Sequence, residues 1–275
     1  MFPLDLGIVS DEISPDFKEA IHYGLQWGVK IFELRSLKTG RVPDVDQSEI
    51  GEVVNLVNER RVSISAVSPG IFKYPLSKRS ELEKELSETL PRSIEIAKRL
   101  GARLILVFGF QRSRDGAGEE YNEAVELMRR AAVIAEKQGM RMAIENEPGF
   151  WCDSGRNTAK FIRDVGSVVL GANWDPCNGY GTDERPFPEG YQDIKDVVFN
   201  VHVKDTKEGS LIRCVPVGEG VIDWRGQLRA LVNDGHVRHV TIETHCLPLI
   251  EKSRQNVETL QMYLEEIQQT KKVNQ

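Results

Sequence analysis

The chain has 275 residues, 40% of them apolar and 28% charged, with a formal net charge of −6. That length suits two average domains or one barrel of roughly 250 residues, with ample apolar material for a core. The acidic balance leans away from a surface built to grip nucleic acid, and no apolar run approaches the roughly 18 residues of a membrane helix.

Asp5, Asp11 and Glu12 come early, with no basic stretch and no small-residue cleavage site, so no signal peptide is expected. Cys152, Cys177, Cys214 and Cys246 form no C-x-x-C pair, which reads as free thiols in a cytoplasmic protein.

In chain order, Leu4 to Val9 reads as a first strand. Ser14 is the expected N-cap of a helix with Pro15 at its first position, running to about Trp27 and stopping at Gly28. Lys30 to Leu34 is a second strand. Asp46 and Glu49 have capping-box spacing and open a helix to about Arg60. Val62 to Val67 is a third strand. A long helix from Leu76 to Leu100 follows, with Pro91 predicting a kink or two pieces.

Arg103 to Gly109 is a fourth strand, apolar throughout as parallel strands buried on both faces are. The polar stretch Gln111 to Gly118 leads into a helix ending near Gln138. Arg141 to Asn146, Val168 to Trp174, Val197 to Val203 and Arg238 to Glu243 complete eight strands. A short helix is expected near Thr158 to Val165, a long loop before Ile222, an Asp223-capped helix ending at Asp234–Gly235, and a last amphipathic helix over Glu251 to Gln268.

Eight strand–helix units without a linker predict an α/β fold, one (β/α)₈ barrel domain spanning residues 1–275. No G-x-G-x-x-G follows the first strand, which removes the main support for a dinucleotide-binding alternative.

Side-chain parity sharpens this. Alternate residues of a barrel strand face the interior. In the last four strands the inward sets are Ala143 and Glu145, Asn173 and Asp175, Asn200, His202 and Lys204, and Thr241, Glu243 and His245. Each strand thus puts one ligand-type residue, Glu145, Asp175, His202 or Glu243, inward at its C-terminal end, where barrel active sites lie. Three converging carboxylates repel one another, and one divalent cation relieves this. The mixed O/N set suits Mn²⁺, Mg²⁺, Co²⁺ or Zn²⁺ without choosing among them.

The segments I-E-N-E-P-G, W-D-P-x-N, V-H-V-K-D, P-V-G-E-G-x-I-D-W and I-E-T-H together resemble the xylose isomerase-like TIM barrels. The similarity is strongest to their sugar (phosphate) isomerase/epimerase branch and covers essentially the whole chain. The resemblance implies a metal, Mn²⁺ first, held by Glu145, Asp175, His202 and Glu243. It implies that Glu145 and Glu243 also act as acid and base on a ketose or related keto-polyol, through an enediolate. An inosose-type dehydratase is the alternative reading. AP endonuclease-like DNA repair is the more distant one, disfavoured by a count of only five histidines.

Lys204, His245, Asn178, Glu33 and Trp151 are expected on the substrate, with Phe150 beside Trp151 as an apolar wall. Asn178 stands where related ketose epimerases often carry a histidine, a departure that leaves room for an isomerase or a dehydratase. Glu147 follows Glu145 by two, but Pro148 interrupts its parity. Arg112, Arg114 and Arg156 are candidates to receive a phosphate or carboxylate. The expected partner is a small sugar or polyol, with no nucleic acid or membrane; a homo-oligomer is compatible with the sequence.

Overall fold

In the computed structural model, residues 4–113, 118–209 and 212–273 are described. Eight short, β-branched strands pair in parallel: β1 (Asp5–Val9), β2 (Ile31–Leu34), β3 (Ser63–Val67), β4 (Leu104–Phe108), β5 (Arg141–Glu145), β6 (Leu170–Trp174), β7 (Val198–Val203) and β8 (His239–Ile242). The sheet closes through β1 against β8, from Asp5↔His239 to Ile8↔Ile242. This is the predicted (β/α)₈ barrel. All strands therefore end at one rim, so the inward residues at their C-termini share one pocket.

The outer layer is α1 (Phe17–Gln26), α2 (Gln47–Arg60), α3 (Arg79–Lys84), α4 (Leu90–Arg99), α5 (Gly118–Lys137), α6 (Gly155–Val165), α7 (Trp224–Asp234) and α8 (Leu249–Val273). Their apolar faces and the outward strand residues form one continuous buried core. Inside the barrel, Ala66, Leu104, Leu106 and Ala143 make a separate cluster with Phe199. Leu106 and Ala143 share parity with Phe108 and Glu145, so this cluster is the apolar floor under the pocket. Phe199 turns inward at a register shift between β6 and β7. Its ring lies where a Cβ on Gly171 would stand, so only glycine fits there.

Several local expectations change. The first helix is capped by Asp16, whose Oδ1 accepts from Lys18 and Glu19; Ser14 instead accepts from the Asp16 amide. Asp46 and Glu49 form no capping box. Glu49 turns away to accept the amides of Lys38 and Thr39, because the β2–α2 loop needs partners for those donors. The helix carrying Pro91 is split by a π-turn over Glu85–Thr89, which opens the backbone ahead of the proline. Between β6 and β7 lie short helical turns, Pro176–Gly179 and Tyr191–Ile194, that the sequence reading passed over.

The long loop after β7 is also ordered. Asp205–Thr206 pairs with Cys214–Val215 in a small hairpin. The Asp205 carboxylate accepts the amides of Thr206, Gly218, Gly220 and Ile222 at 2.9 to 3.3 Å. A side chain at Gly220 would collide with that carboxylate. The turn ends at Asp223, which caps α7 as expected by accepting from Gly226, and Trp224 Nε1 donates to the Lys204 carbonyl at 3.0 Å.

Glu85 in the π-turn accepts the amide of Phe72, a residue held at φ 65, and burial pushes its carboxyl up to about 7. A folded-state value above the ordinary 4.5 means that the folded protein binds this proton more tightly. The stabilisation is full below about 4.5 and is lost as pH rises through about 7. Glu85→Gln keeps the acceptor and removes the titration. Urea unfolding at pH 5 and pH 7.5 should show the wild type losing stability relative to this variant at the higher pH. A pH-independent difference would count against the assignment.

Candidate metal and substrate site

The four inward residues meet. Ligand atoms of Glu145, Asp175, His202 and Glu243 all lie within 4.8 Å of one another, and all four residues are buried. At that separation two like charges repel by roughly 3 to 4 kcal/mol in a protein environment, so the three carboxylates require cations.

The chain itself supplies some. Lys204 Nζ hydrogen-bonds Glu243 Oε2 at 2.9 Å and stands 2.8 Å from Asp175 Oδ2. Arg35 reaches Glu243 Oε1 at 2.9 Å while also binding Asp11 and Glu12. His245 Nε2 lies 3.0 Å from Glu243 Oε1, and its backbone amide donates to Glu12 Oε2.

His202 is oriented from below. Its Nε2 is 2.9 Å from Glu33 Oε2, and a carboxylate can only accept, so Nε2 carries the proton. Nδ1 then faces Glu145 and Glu243 at 3.7 and 3.4 Å. Glu33 is itself held by Asn200, which also donates to Asn173. Neither residue is open to water, so Glu33, expected on the substrate, instead positions the histidine from the layer beneath.

The electrostatics follow this arrangement. Burial and Glu243 push the Glu145 carboxyl up, but His202 and Lys204 outweigh them and leave it below its ordinary value. Glu243 is also desolvated, yet Lys204, His202 and His245 hold it well below the carboxylate range. Asp175 is raised by burial and by its two carboxylate neighbours, with Lys204 opposing. Burial alone would strip His202 of charge, but Glu33, Glu243 and Glu145 carry its pKa well above the ordinary value.

One atom tests whether a metal fits. His202 Nδ1 is buried with no hydrogen-bond partner, and Asp175 Oδ2 in the same cluster meets only the Lys204 ammonium, at 2.8 Å. A buried ring nitrogen is rarely left so, and this one belongs to a cluster whose donors are carboxylate oxygens and an imidazole nitrogen. The set fits a divalent ion, and Glu33 beneath His202 is the carboxylate that such a ligand normally carries behind it.

Above the cluster lies a cavity of about 460 Å³, lined among others by Glu145, Glu147, Asn178, Lys204, Glu243 and His245. Asn178 Nδ2 donates to Glu145 Oε1 at 3.2 Å, to the Asn146 carbonyl at 2.9 Å and to Glu147 Oε2 at 3.4 Å. Glu147 thus reaches the cavity despite Pro148; burial and Glu145 push its carboxyl up to about 7.

Trp151 is not brought to the cavity lining. Its ring packs edge-on to Tyr121 in the helix layer, at 5.4 Å, whereas Phe150 packs against the cavity residue Phe108 at 5.9 Å. Arg112 pairs with Asp153, and Arg156 with Asp193 at 3.4 Å, so both are engaged away from the cavity. Arg114 lies outside the described residues.

Sequence reasoning missed Arg35, Arg41 and Lys73. Arg35 was within reach, since it follows Glu33 by two residues and shares its inward parity. Arg41 and Lys73 stand on loops, where no period applies.

The model of the xylose isomerase-like TIM barrel matches residues 21–267. The chain belongs to that family. None of the curated proteins compared matches it in sequence. Among solved structures, a D-tagatose 3-epimerase-like protein superposes with a TM-score of 0.80 at 18% identity, covering 97% of this chain and 99% of that one. The probable 3-DHS dehydratase AsbF, involved in petrobactin synthesis in Bacillus anthracis, gives 0.79 at 15% identity over 94% and 99%. The IolI protein with a bound zinc atom gives 0.77 at 16% over 96% and 98%. At such identities these structures share the fold alone, and the reaction has to be argued from the side chains.

If the cluster holds a divalent ion, Mn²⁺ at a hundredfold excess over its Kd should stabilise the chain by about 2.7 kcal/mol, several degrees in a thermal melt. Asp175→Asn should erase that rise, and Glu33→Gln should weaken Mn²⁺ binding by about 10- to 100-fold through the loosened imidazole. A melt indifferent to Mn²⁺, Zn²⁺ and EDTA alike would remove the metal from consideration.

Proposed function

We propose that this protein is a divalent-metal-dependent isomerase, of the epimerase or aldose–ketose type, moving a proton on a ketose or related keto-polyol through an enediolate. The observation that carries the proposal is the placing of two carboxylates, Glu145 at the end of β5 and Glu243 just past β8, around one His202 nitrogen, both facing the cavity. A divalent ion held by Glu145, Asp175, His202 and Glu243, with Mn²⁺ expected first and Mg²⁺, Co²⁺ or Zn²⁺ also suited, would act as Lewis acid toward the substrate carbonyl.

The remaining work belongs to the side chains. Glu243 and Glu145 are both kept below the usual carboxylate range, so either can accept the proton from the carbon beside the carbonyl. For inversion the group on the other side must first take a proton from solvent; it delivers that proton to the opposite face of the enediolate, and the first group is left protonated. A proton returned to the neighbouring carbon instead gives an aldose–ketose change. The Lys204 ammonium, between Asp175 and Glu243, offsets the charge that develops on the substrate oxygen. Asn178 holds Glu145 in place, and His245 and Arg35 hold Glu243.

The dehydratase reading draws on Asn178. Here it is committed to Glu145 and Glu147 where related epimerases often have a histidine, and elimination of water from the same enediolate needs no further metal chemistry. The DNA-repair reading lacks its ligands: His22 bonds Gln26 on α1, His239 begins β8 at the far end of the barrel from the site, and His236 precedes it. The substrate we propose is a small sugar or polyol, and four unpaired cysteines fit a reducing, cytoplasmic setting.

With Mn²⁺ in deuterated water, a panel of ketoses, keto-inositols and hydroxypyruvate followed by NMR should reveal a substrate by solvent-proton exchange. Glu145→Gln and Glu243→Gln should each lower that exchange by at least about 100-fold, with circular dichroism unchanged. Exchange that persists in both variants sinks the proposal. Loss of water from the product selects the dehydratase.

A further inference from the structure

We propose that the substrate carries an anionic group, a carboxylate or a phosphate, and that Arg41 receives it with Lys73 as the second cation of the same cavity. This rests on the metal-dependent reaction proposed above and narrows its substrate class.

The other arginine and lysine that line this cavity, and the loop residues Arg112 and Arg156, are already paired with carboxylates. Arg35 has three carboxylates and Lys204 has two, while Arg112 and Arg156 are taken by Asp153 and Asp193. Arg41 and Lys73 line the cavity with Glu145 and Glu243, and neither has a carboxylate partner among the described residues. Arg41 donates only to neutral oxygens, from Nε to the Ser68 carbonyl at 3.2 Å and from Nη2 to Ser68 Oγ at 3.5 Å. Of the five guanidinium N–H groups, three therefore remain to be accepted, in the planar fork that suits a carboxylate or phosphate. Lys73 Nζ sits 3.8 Å from the centre of the Phe108 ring at the cavity wall, with Glu147 close enough for the two charges to interact but forming no ion pair with it.

The position of Arg41 is built. A hairpin after β2 pairs it with Ser36, so its backbone is fixed next to Arg35. Opposite, Gly70 leaves out a side chain where the guanidinium passes: a Cβ there would stand 2.7 Å from Arg41 Cζ and Nε. Gly70 itself sits at φ 73, where glycine is favoured in any case, so the placing of Arg41 rests on the hairpin and on Ser68. Burial first, and then Arg35, lower the Arg41 pKa, with Asp11, Glu145 and Glu243 opposing, so its charge is only partly answered and an anion reaching Arg41 and Lys73 adds a partner charge that no neutral sugar hydroxyl can supply.

The test uses the Mn²⁺-loaded full chain and three ligands differing at one terminal carbon: D-fructose, D-fructose 6-phosphate and D-fructuronate. Calorimetric titration should show at least one anion binding ten- to a hundredfold more tightly than fructose, about the worth of a charge-assisted hydrogen bond. The tighter anion distinguishes phosphate from carboxylate. Arg41→Gln should remove most of that margin, and Lys73→Gln, on a different loop, should cut it several-fold. If neither anion outbinds fructose by about tenfold, or both variants keep the margin, the proposal is overturned. Deuterium exchange in the same samples separates the two claims. Exchange of fructose without an anion preference defeats this inference alone, whereas an Arg41-dependent preference without exchange on any substrate defeats the proposed reaction alone.

Discussion

Three carboxylates crowded under water-poor conditions at one end of a barrel dictate what surrounds them. Glu145, Asp175 and Glu243 are each almost fully enclosed, and their mutual repulsion is several kcal/mol before any neighbour acts. The response comes from every side. Lys204 enters from the same strand as His202, Arg35 crosses from the second loop, and His245 turns back from the eighth with a φ of 49. The neutralisation is uneven: Glu243 has three cationic contacts, whereas Asp175 has Lys204 alone. That unevenness, with the unbonded His202 Nδ1, singles out Asp175 and His202 as donors with spare capacity.

Below this layer the interior changes character twice. Polar, fully buried Asn173, Asn200 and Glu33 form a hydrogen-bonded tier, and beneath it Leu104, Leu106, Ala143 and Phe199 are apolar. The tier holds Glu33 against His202 and so fixes the ring that faces the carboxylates. A purely apolar floor would leave the His202 ring free to turn about its own bond.

Much of this was legible in the sequence because strand period is a whole number. Counting by two from Ala143, Asn173, Asn200 and Thr241 places Glu145, Asp175, His202 and Glu243 inward, and the structure gathers those four. The same arithmetic misjudged Glu33, since parity gives the face and says nothing of depth: Glu33 is fully buried against the His202 ring and does not line the cavity. Arg41 and Lys73 were invisible because turns obey no period, and Trp151 was misplaced because the chain after Gly149 turns outward. The capping signals at Ser14 and Glu49 failed for one reason, that a nearby backbone amide competed for the same oxygen.

Asp205 has a consequence for how such a barrel diversifies. Its carboxylate contacts backbone amides only, at both ends of the seventh loop, and the hairpin ties the loop again at Thr206 and Cys214. The segment so bracketed includes Ile212, which lines the cavity, while Lys204 is anchored outside the bracket by Trp224. Side chains within the bracket can therefore be exchanged without loosening the lysine. The V-H-V-K-D and G-E-G-x-I-D-W segments, the most recognisable in the chain, are in this sense a fixed frame around a replaceable panel, and likeness in them speaks to ancestry more than to the molecule bound.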